Sequence, residues 1–295
     1  MIREILSRKV GILGLGQMGS ALLLSFSNFL ESLKINSKDI FYLYDSQQEK
    51  KEDFKRRGFS NITNCEENIF SSAKIIFICV KPDTIEGLIK RNSQFIKEKT
   101  LLISIAAGIS LEYIEQLLLK ETHVRSSLPK IIRIMANHLC LIGESASVYS
   151  INSKCNMIDE QIVVTLLKSV GIIKKIDEKQ MNEFTALAGS GPAFVYYFAE
   201  ALIDAALKNG IDVNTARDYV TQVLYGASKF FKNSKEKNVS SLKYAVTTPN
   251  GTTIAGLAQL DKNRFKHAIN EAITHATARG AQIEKQKMKN FKSKF

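Results

Sequence analysis

Three glycines, Gly14, Gly16 and Gly19, follow the apolar run 10–13 directly and precede a stretch of helical periodicity. A G-x-G-x-x-G turn in that setting constrains the fold more than any other feature of the chain. The first glycine makes a tight turn. The second lets a diphosphate approach the backbone, and the third packs helix against strand. The N–H groups at the helix start then face the phosphates. The motif is weak alone and gains weight from its strand–turn–helix context.

The rest of the first half repeats the alternation. Short apolar runs occur at 10–13, 40–44, 75–80, 101–105 and 131–135, with segments between them long enough for crossover helices. Continuous apolar runs describe strands buried on both faces, as in a parallel sheet. Right-handed crossovers then predict a Rossmann-type, doubly wound, mostly parallel sheet, an α/β fold. Two more runs, 146–149 and 171–176, extend it. After 176 the strand signals stop. Helices are predicted from Gly191-Pro192 to Asn209-Gly210, then over 214–231, 239–246, 254–260 and 264–286. The division expected is a dinucleotide-binding domain, 1–177, and an all-helical domain, 178–295. In the first of these helices, Ala193, Phe194, Val195, Phe198, Ala201, Leu202, Ala205 and Ala206 run nearly all the way round. About half a chain of this length cannot bury such a helix alone, so a subunit interface is expected.

The 295 residues carry a net charge of +12. Lys50, Lys51, Lys55, Arg56 and Arg57 share one polar stretch, and Lys285, Lys287, Lys289, Lys292 and Lys294 crowd the C-terminus. No aromatic residues interleave with them, so they read as solvated faces and a loose tail, not as a nucleic-acid groove. The excess favours a small anionic ligand. Cys65, Cys79, Cys140 and Cys155 have no zinc or disulfide spacing, which fits a reducing compartment, taken as cytoplasmic. His123, His138, His267 and His275 show no ligand spacing, so no metal is expected. The segment 193–207 is interrupted by Glu200 and Asp204, which argues against a membrane span.

Candidate ligand residues cluster at strand ends. Asp45 ends the second strand, somewhat further from Gly19 than the usual ~20 residues, where an acid bonds the adenosine ribose and favours NADH. Lys50 and Lys51 follow and leave a 2′-phosphate reading open. Lys81 ends the third strand in Val80-Lys81-Pro82; it reads as a ribose or phosphate ligand or as a surface lysine. Ser104 to Gly108 ends the fourth with small residues, including Ala106 and Ala107, which admit a flat nicotinamide ring. In the second half, Thr248-Pro249-Asn250-Gly251-Thr252-Thr253 reads as a tight turn opening a helix. Its free N–H groups suit a carboxylate, and a capping loop is the other reading. The stretch 189–207 has no lysine, unlike many hydroxy-acid dehydrogenases of related build.

In this order the segments Gly14–Gly19, Val80–Pro82, Ser104–Gly108, Arg133–Asn137 with Gly143-Glu144, Ala188–Ala193 and Thr248–Gly256 resemble the pyrroline-5-carboxylate reductase family. The resemblance implies hydride transfer from NADPH or NADH to the C=N bond of 1-pyrroline-5-carboxylate, giving L-proline. It implies a dinucleotide site of Gly14, Gly16, Gln17, Met18, Gly19, Asp45, Asn64, Val80, Lys81, Pro82, Ala106, Ala107, Gly108 and Asn137. It implies a substrate loop of Thr248, Asn250, Gly251, Thr252 and Thr253, with Thr253 beside the ring nitrogen. It also implies a dimer of interlocked helical halves, and a decamer of dimers. Alternatives are a related imine or hydroxy-acid reductase, or a non-catalytic dinucleotide-binding protein on the same scaffold. Two departures stand out. The family's Met-Pro-Asn-Thr-Pro is Met135-Ala-Asn-His-Leu139 here, which predicts a looser loop. Its Ser-Pro-Gly-Gly is Thr248-Pro-Asn250-Gly251, where asparagine still tolerates a left-handed turn.

Overall fold

The computed structural model describes residues 5, 7–121, 128–236 and 238–293. His123 and Lys294 lie outside them. The strands β1 (Val10–Leu13), β2 (Phe41–Tyr44), β3 (Ile75–Ile78), β4 (Leu101–Ser104), β5 (Lys130–Met135), β6 (Ser145–Ile151) and β7 (Gly171–Lys175) coincide with the seven predicted runs. They form one sheet in the order β2-β1-β3-β4-β5-β6-β7. The pairs from β2 through β5 are parallel, β6 runs antiparallel to β5, and β7 is parallel to β6. Beyond β2, a single bridge joins Leu43 to Ile62. There Leu43 N–H donates to the Asn61 carbonyl at 2.9 Å and Thr63 N–H to the Leu43 carbonyl at 3.0 Å. This is an outer strand reduced to one rung.

Every position of β1, β3 and β4 is buried, because helices cover both faces. The helices here are α1 (Gln17–Ser32), α2 (Gln48–Arg56), α3 (Glu67–Ser72), α4 (Ile85–Asn92), α5 (Leu111–Glu121) and α6 (Met157–Lys168). Alternate strand residues go to opposite faces. Ile12, Phe77 and Ile103 pack with Leu22, Phe26 and Leu166 of α1 and α6. Leu13, Ile78 and Leu102 pack with Ile69, Leu88 and Leu117 of α3, α4 and α5. That is the doubly wound arrangement.

The remaining helices are α7 (Met181–Phe184), α8 (Gly191–Lys208), α9 (Val213–Asn233), α10 (Val239–Ala245), α11 (Thr252–Lys262) and α12 (Phe265–Lys292). A single π turn, Thr185–Gly189, separates α7 from α8. The chain divides into two compact units: one runs to Gly189 and resumes at Ala276, and the other is Ser190–His275. This differs from a simple cut at 177/178. Met181 is buried in a cluster with Met135, Val148 and Ile176, with Phe184 and Ala188 packed against it. Phe291, near the end of α12, is buried against Tyr113 of α5 with rings 5.2 Å apart. The C-terminal lysines through Lys292 are therefore on a helix and not in a loose tail. The helix runs past the expected 286 because Ile283, Met288 and Phe291 share one face that finds apolar partners.

In the Ser190–His275 unit, Pro192 and Ala216 are the only buried residues of α8 to α11. Tyr219, Val223 and Phe230 of α9 lie on one face, 73%, 61% and 66% exposed. So much uncovered apolar surface marks an interaction face, in keeping with the interface read from α8. By length and composition the continuous run Glu178–Lys208 is apolar enough to cross a membrane. The sequence reading excluded this on a shorter segment; here α7 and the π turn continue into α8 and lengthen it.

Candidate active site

The glycine turn leaves the carboxyl end of β1. Gly14 has φ +96°, and a Cβ there would lie 2.8 Å from the Cys79 carbonyl oxygen. A Cβ on Gly19 would overlap the Gly14 carbonyl oxygen, so α1 sits directly on the strand. A Cβ on Gly16 would meet nothing within 4 Å. Gly16 opens α1 without a side-chain cap, and the first turn holds no acid. The early N–H groups, among them those of Gln17 and Met18, stand at the positive end of the helix without a side-chain cap. A diphosphate suits this cradle sterically and electrostatically.

Asp45 stands at the end of β2. Its Oδ2 accepts the Leu15 N–H at 2.7 Å and its Oδ1 accepts the Gln47 N–H at 2.8 Å. Lys50 Nζ is 3.8 Å from Oδ2, and the Asp45 side chain is only 8% exposed. The carboxylate that was expected on the ribose is thus engaged by the protein, where it clamps the glycine turn. Asp45→Ala is expected to weaken NADH and NADPH about equally, by roughly tenfold for one lost charge-assisted hydrogen bond. Fluorescence titration with each dinucleotide checks this; a selective loss of NADH would restore the ribose role. Nearby, the buried Lys51 donates to the Asn64 Oδ1 at 2.8 Å, and Asn64 itself is exposed.

The carboxyl end of β3 lies beside that of β1, and that of β4 beside β3, on the side where such folds bind ligands. After β3, the Cys79 N–H donates to the Leu13 carbonyl at 2.8 Å. Burial pushes the Cys79 thiol far above its ordinary pKa, so it is no nucleophile. Val80 and Pro82 are half-buried and Lys81 is exposed, preceding the single turn Pro82–Thr84. After β4, Ala106 is buried, Ala107 is exposed and Gly108 has φ +71°. Asn137 follows β5 and is buried. Its Oδ1 accepts the Leu139 N–H at 3.1 Å and its Nδ2 donates to the Ala188 carbonyl, in the π turn, at 2.9 Å. Asn137, expected as a cofactor ligand, caps the turn His138–Ile142, so the loop expected to be looser is tied down at this point.

The threonine loop belongs to the second unit. Asn250 takes φ +58°, as expected of asparagine. The Gly251 N–H closes the turn on the Thr248 carbonyl at 3.0 Å. A Cβ at Gly251 would overlap the Thr248 hydroxyl, so glycine is required there. Helix α11 starts at Thr252 with Gly251 as an uncapped N-cap and no acid in its first turn. Thr248, Thr252 and Thr253 are exposed. The loop offers N–H groups and hydroxyls to a small anion.

Two features escaped the sequence reading. Asp45 is met by a backbone N–H, a partner that residue identity does not advertise. Asp83, just after Pro82, forms an ion pair with Lys287 of α12. The hydrogen bond from Lys287 and its charge hold the Asp83 carboxyl below its ordinary pKa. The apolar spacing of Ile283, Met288 and Phe291 was the available signal for that second contact.

Sheet order and glycine turn define a dinucleotide-binding protein of Rossmann-type fold. The chain is 32% identical to zebrafish (Danio rerio) pyrroline-5-carboxylate reductase 3, over 97% of this chain and 95% of that protein. It belongs to the pyrroline-5-carboxylate reductase family. A family model described as pyrroline-5-carboxylate reductase dimerisation matches residues 178–283. Another, described as NADP oxidoreductase, coenzyme F420-dependent, matches 9–108. The crystal structure of Plasmodium falciparum pyrroline carboxylate reductase with NADP bound is similar at TM-score 0.82 and 32% identity, covering 95% of this chain and 99% of that one. The Streptococcus pyogenes 1-pyrroline-5-carboxylate reductase structure is similar at TM-score 0.78 and 28% identity, covering 92% and 98%. The helical half thus carries the family's dimerisation region, which accounts for its uncovered apolar face.

Proposed function

We propose that the chain reduces 1-pyrroline-5-carboxylate to L-proline at the expense of NAD(P)H. The observation that carries this reading is the turn Thr248–Gly251 opening α11 without a cap, in a chain of this family. When bound, the dinucleotide supplies the hydride. Gly14, Gly16, Gln17, Met18 and Gly19 hold its diphosphate. Val80, Lys81, Pro82, Ala106, Ala107 and Gly108 border its ribose and nicotinamide. The N–H groups of Thr252 and Thr253 take the substrate carboxylate, with Thr248 and Asn250 shaping the turn. Thr253 Oγ1 orients the ring nitrogen. A hydroxyl is a poor acid near neutral pH, so the imine arrives protonated and the protein contributes mainly position.

The test is oxidation of NADH and of NADPH, each with 1-pyrroline-5-carboxylate, with proline measured as product. Binding of either dinucleotide without turnover would overturn the assigned substrate. The same rates decide preference. Asp45 no longer argues for NADH by itself, and Lys50 is the charge placed to meet a 2′-phosphate. A tenfold advantage for NADPH assigns Lys50 to that contact; an advantage for NADH assigns the ribose to the remaining face of Asp45.

Thr253→Ala is expected to lower kcat by roughly tenfold or more while dinucleotide affinity stays unchanged, since the lost contact is to the reacting ring. Steady-state kinetics beside a binding titration separate the two; unchanged kcat would remove Thr253 from the site. We further propose that the functional unit is a dimer through the helical halves, assembled into a decamer. Four free cysteines suit a reducing compartment, proposed to be the cytoplasm.

A further inference from the structure

The last turns of α12 lie in the same compact unit as the sheet. One face of them meets two loops of the proposed dinucleotide site. Ile283 packs against the loop after β4, and a Cβ on Gly108 would stand 2.6 Å from Ile283 Cγ2. One turn on, Lys287 pairs with Asp83 in the turn after β3. Between them, Glu284 reaches Arg133 of β5 at 3.3 Å, where the Arg133 side chain is only 4% exposed. Arg133 also bonds Glu178 at 2.8 Å, and Asn182 donates to Glu284 at 3.2 Å. Phe291, buried on Tyr113, locks the far end. Glu284, Lys287 and Phe291 lie beyond residue 283, where the match to the dimerisation model ends.

This division of labour is informative. The anchor needs only Phe291 and the buried Arg133–Glu284 contact. The Asp83 side chain is 87% exposed, and ion pairs of that kind add little stability. Lys287 and Ile283 make contacts the anchor does not: they touch the loops 80–84 and 106–108.

We propose that Ile283 and Lys287 are positioning residues for dinucleotide binding, holding the loops after β3 and β4 in their binding conformation. The inference rests on the assignment of those loops to the dinucleotide. It does not depend on which imine is reduced.

The experiment is titration of the full-length protein with NADPH, followed by fluorescence, without any imine present. Lys287→Ala is expected to raise Kd about threefold to fivefold, and Lys287→Ala with Ile283→Ala at least tenfold. Lys287→Arg should retain the wild-type Kd. The exchanged pair Asp83→Lys with Lys287→Asp should recover most of the single-variant loss. Lys287→Ala removes an exposed contact and leaves the buried anchor, so its thermal midpoint should stay near wild type. In parallel, NADPH should protect the amides of 80–84, 106–110 and 283–288 of the wild-type protein from hydrogen exchange. An unchanged Kd in the double variant, or NADPH protection of the glycine turn without protection of 283–288, would overturn the proposal. If NADPH binds with these effects but 1-pyrroline-5-carboxylate is not reduced, the positioning role stands and the substrate assignment falls.

Discussion

Gly16→Val leaves the protein folded and lowers dinucleotide affinity by at least about a hundredfold, roughly 2.8 kcal/mol at 1.4 kcal/mol per tenfold. A Cβ at Gly16 meets nothing within 4 Å, so the position has room for the first atom of a side chain in the apoprotein. The space it fills is the space the diphosphate needs. Its neighbours make the contrast. Gly14 has φ +96°, and any side chain at Gly19 would press on the Gly14 carbonyl. Gly14→Ala and Gly19→Ala should therefore lower stability first and binding as a consequence. The check pairs a thermal melt of each variant with a titration against NADPH and NADH. Normal affinity in Gly16→Val would refute the phosphate cradle. A collapsed melt in Gly16→Val would show that the position is packed and not open.

Val223→Asp breaks self-association and takes activity with it. Val223 sits between Tyr219 and Phe230 on the uncovered face of α9. The Ser190–His275 unit buries almost nothing by itself, so its helices depend on a second copy for an apolar environment. A carboxylate placed inside such an interface is desolvated without a partner, at a cost of several kcal/mol. Sedimentation at micromolar concentration should show the wild type as a dimer or larger and the variant shifted toward monomer. Far-ultraviolet circular dichroism should show helix loss in the variant, because the exposed helices have little left to pack on. A wild-type monomer, or a fully associated and active variant, would overturn this reading of the face.

The two halves of the chain were not equally legible. In the sheet half each strand is legible, since a run as short as Ile75–Ile78, bounded by polar and turn residues, suits a strand buried on both faces better than a helix. The glycine turn is legible for a similar reason: Gly14 and Gly19 sit where backbone sterics admit little else. The threonine loop was readable because Asn250 tolerates φ +58° and glycine alone fits beside the Thr248 hydroxyl. The roles of Asp45 and Asn137 were not. Both residue types are good ligands by chemistry, and each of their polar atoms also makes a bond within the protein, to the Leu15 and Gln47 N–H groups in one case and to Leu139 and Ala188 in the other.

The sequence by itself determined where strands and helices form, where the glycine turn lies and which half must find a partner. Those properties depend on local sterics and on the period of apolar residues along the chain. Only the tertiary structure decided which polar side chains are bonded within the protein and that Lys285, Lys287, Lys289 and Lys292 belong to a helix whose last turns pack in the sheet unit. Asp45 meets Leu15 across 30 positions and Asp83 meets Lys287 across 204. Pairings at that distance arise when packed elements bring their ends together, and no periodicity in the chain records them.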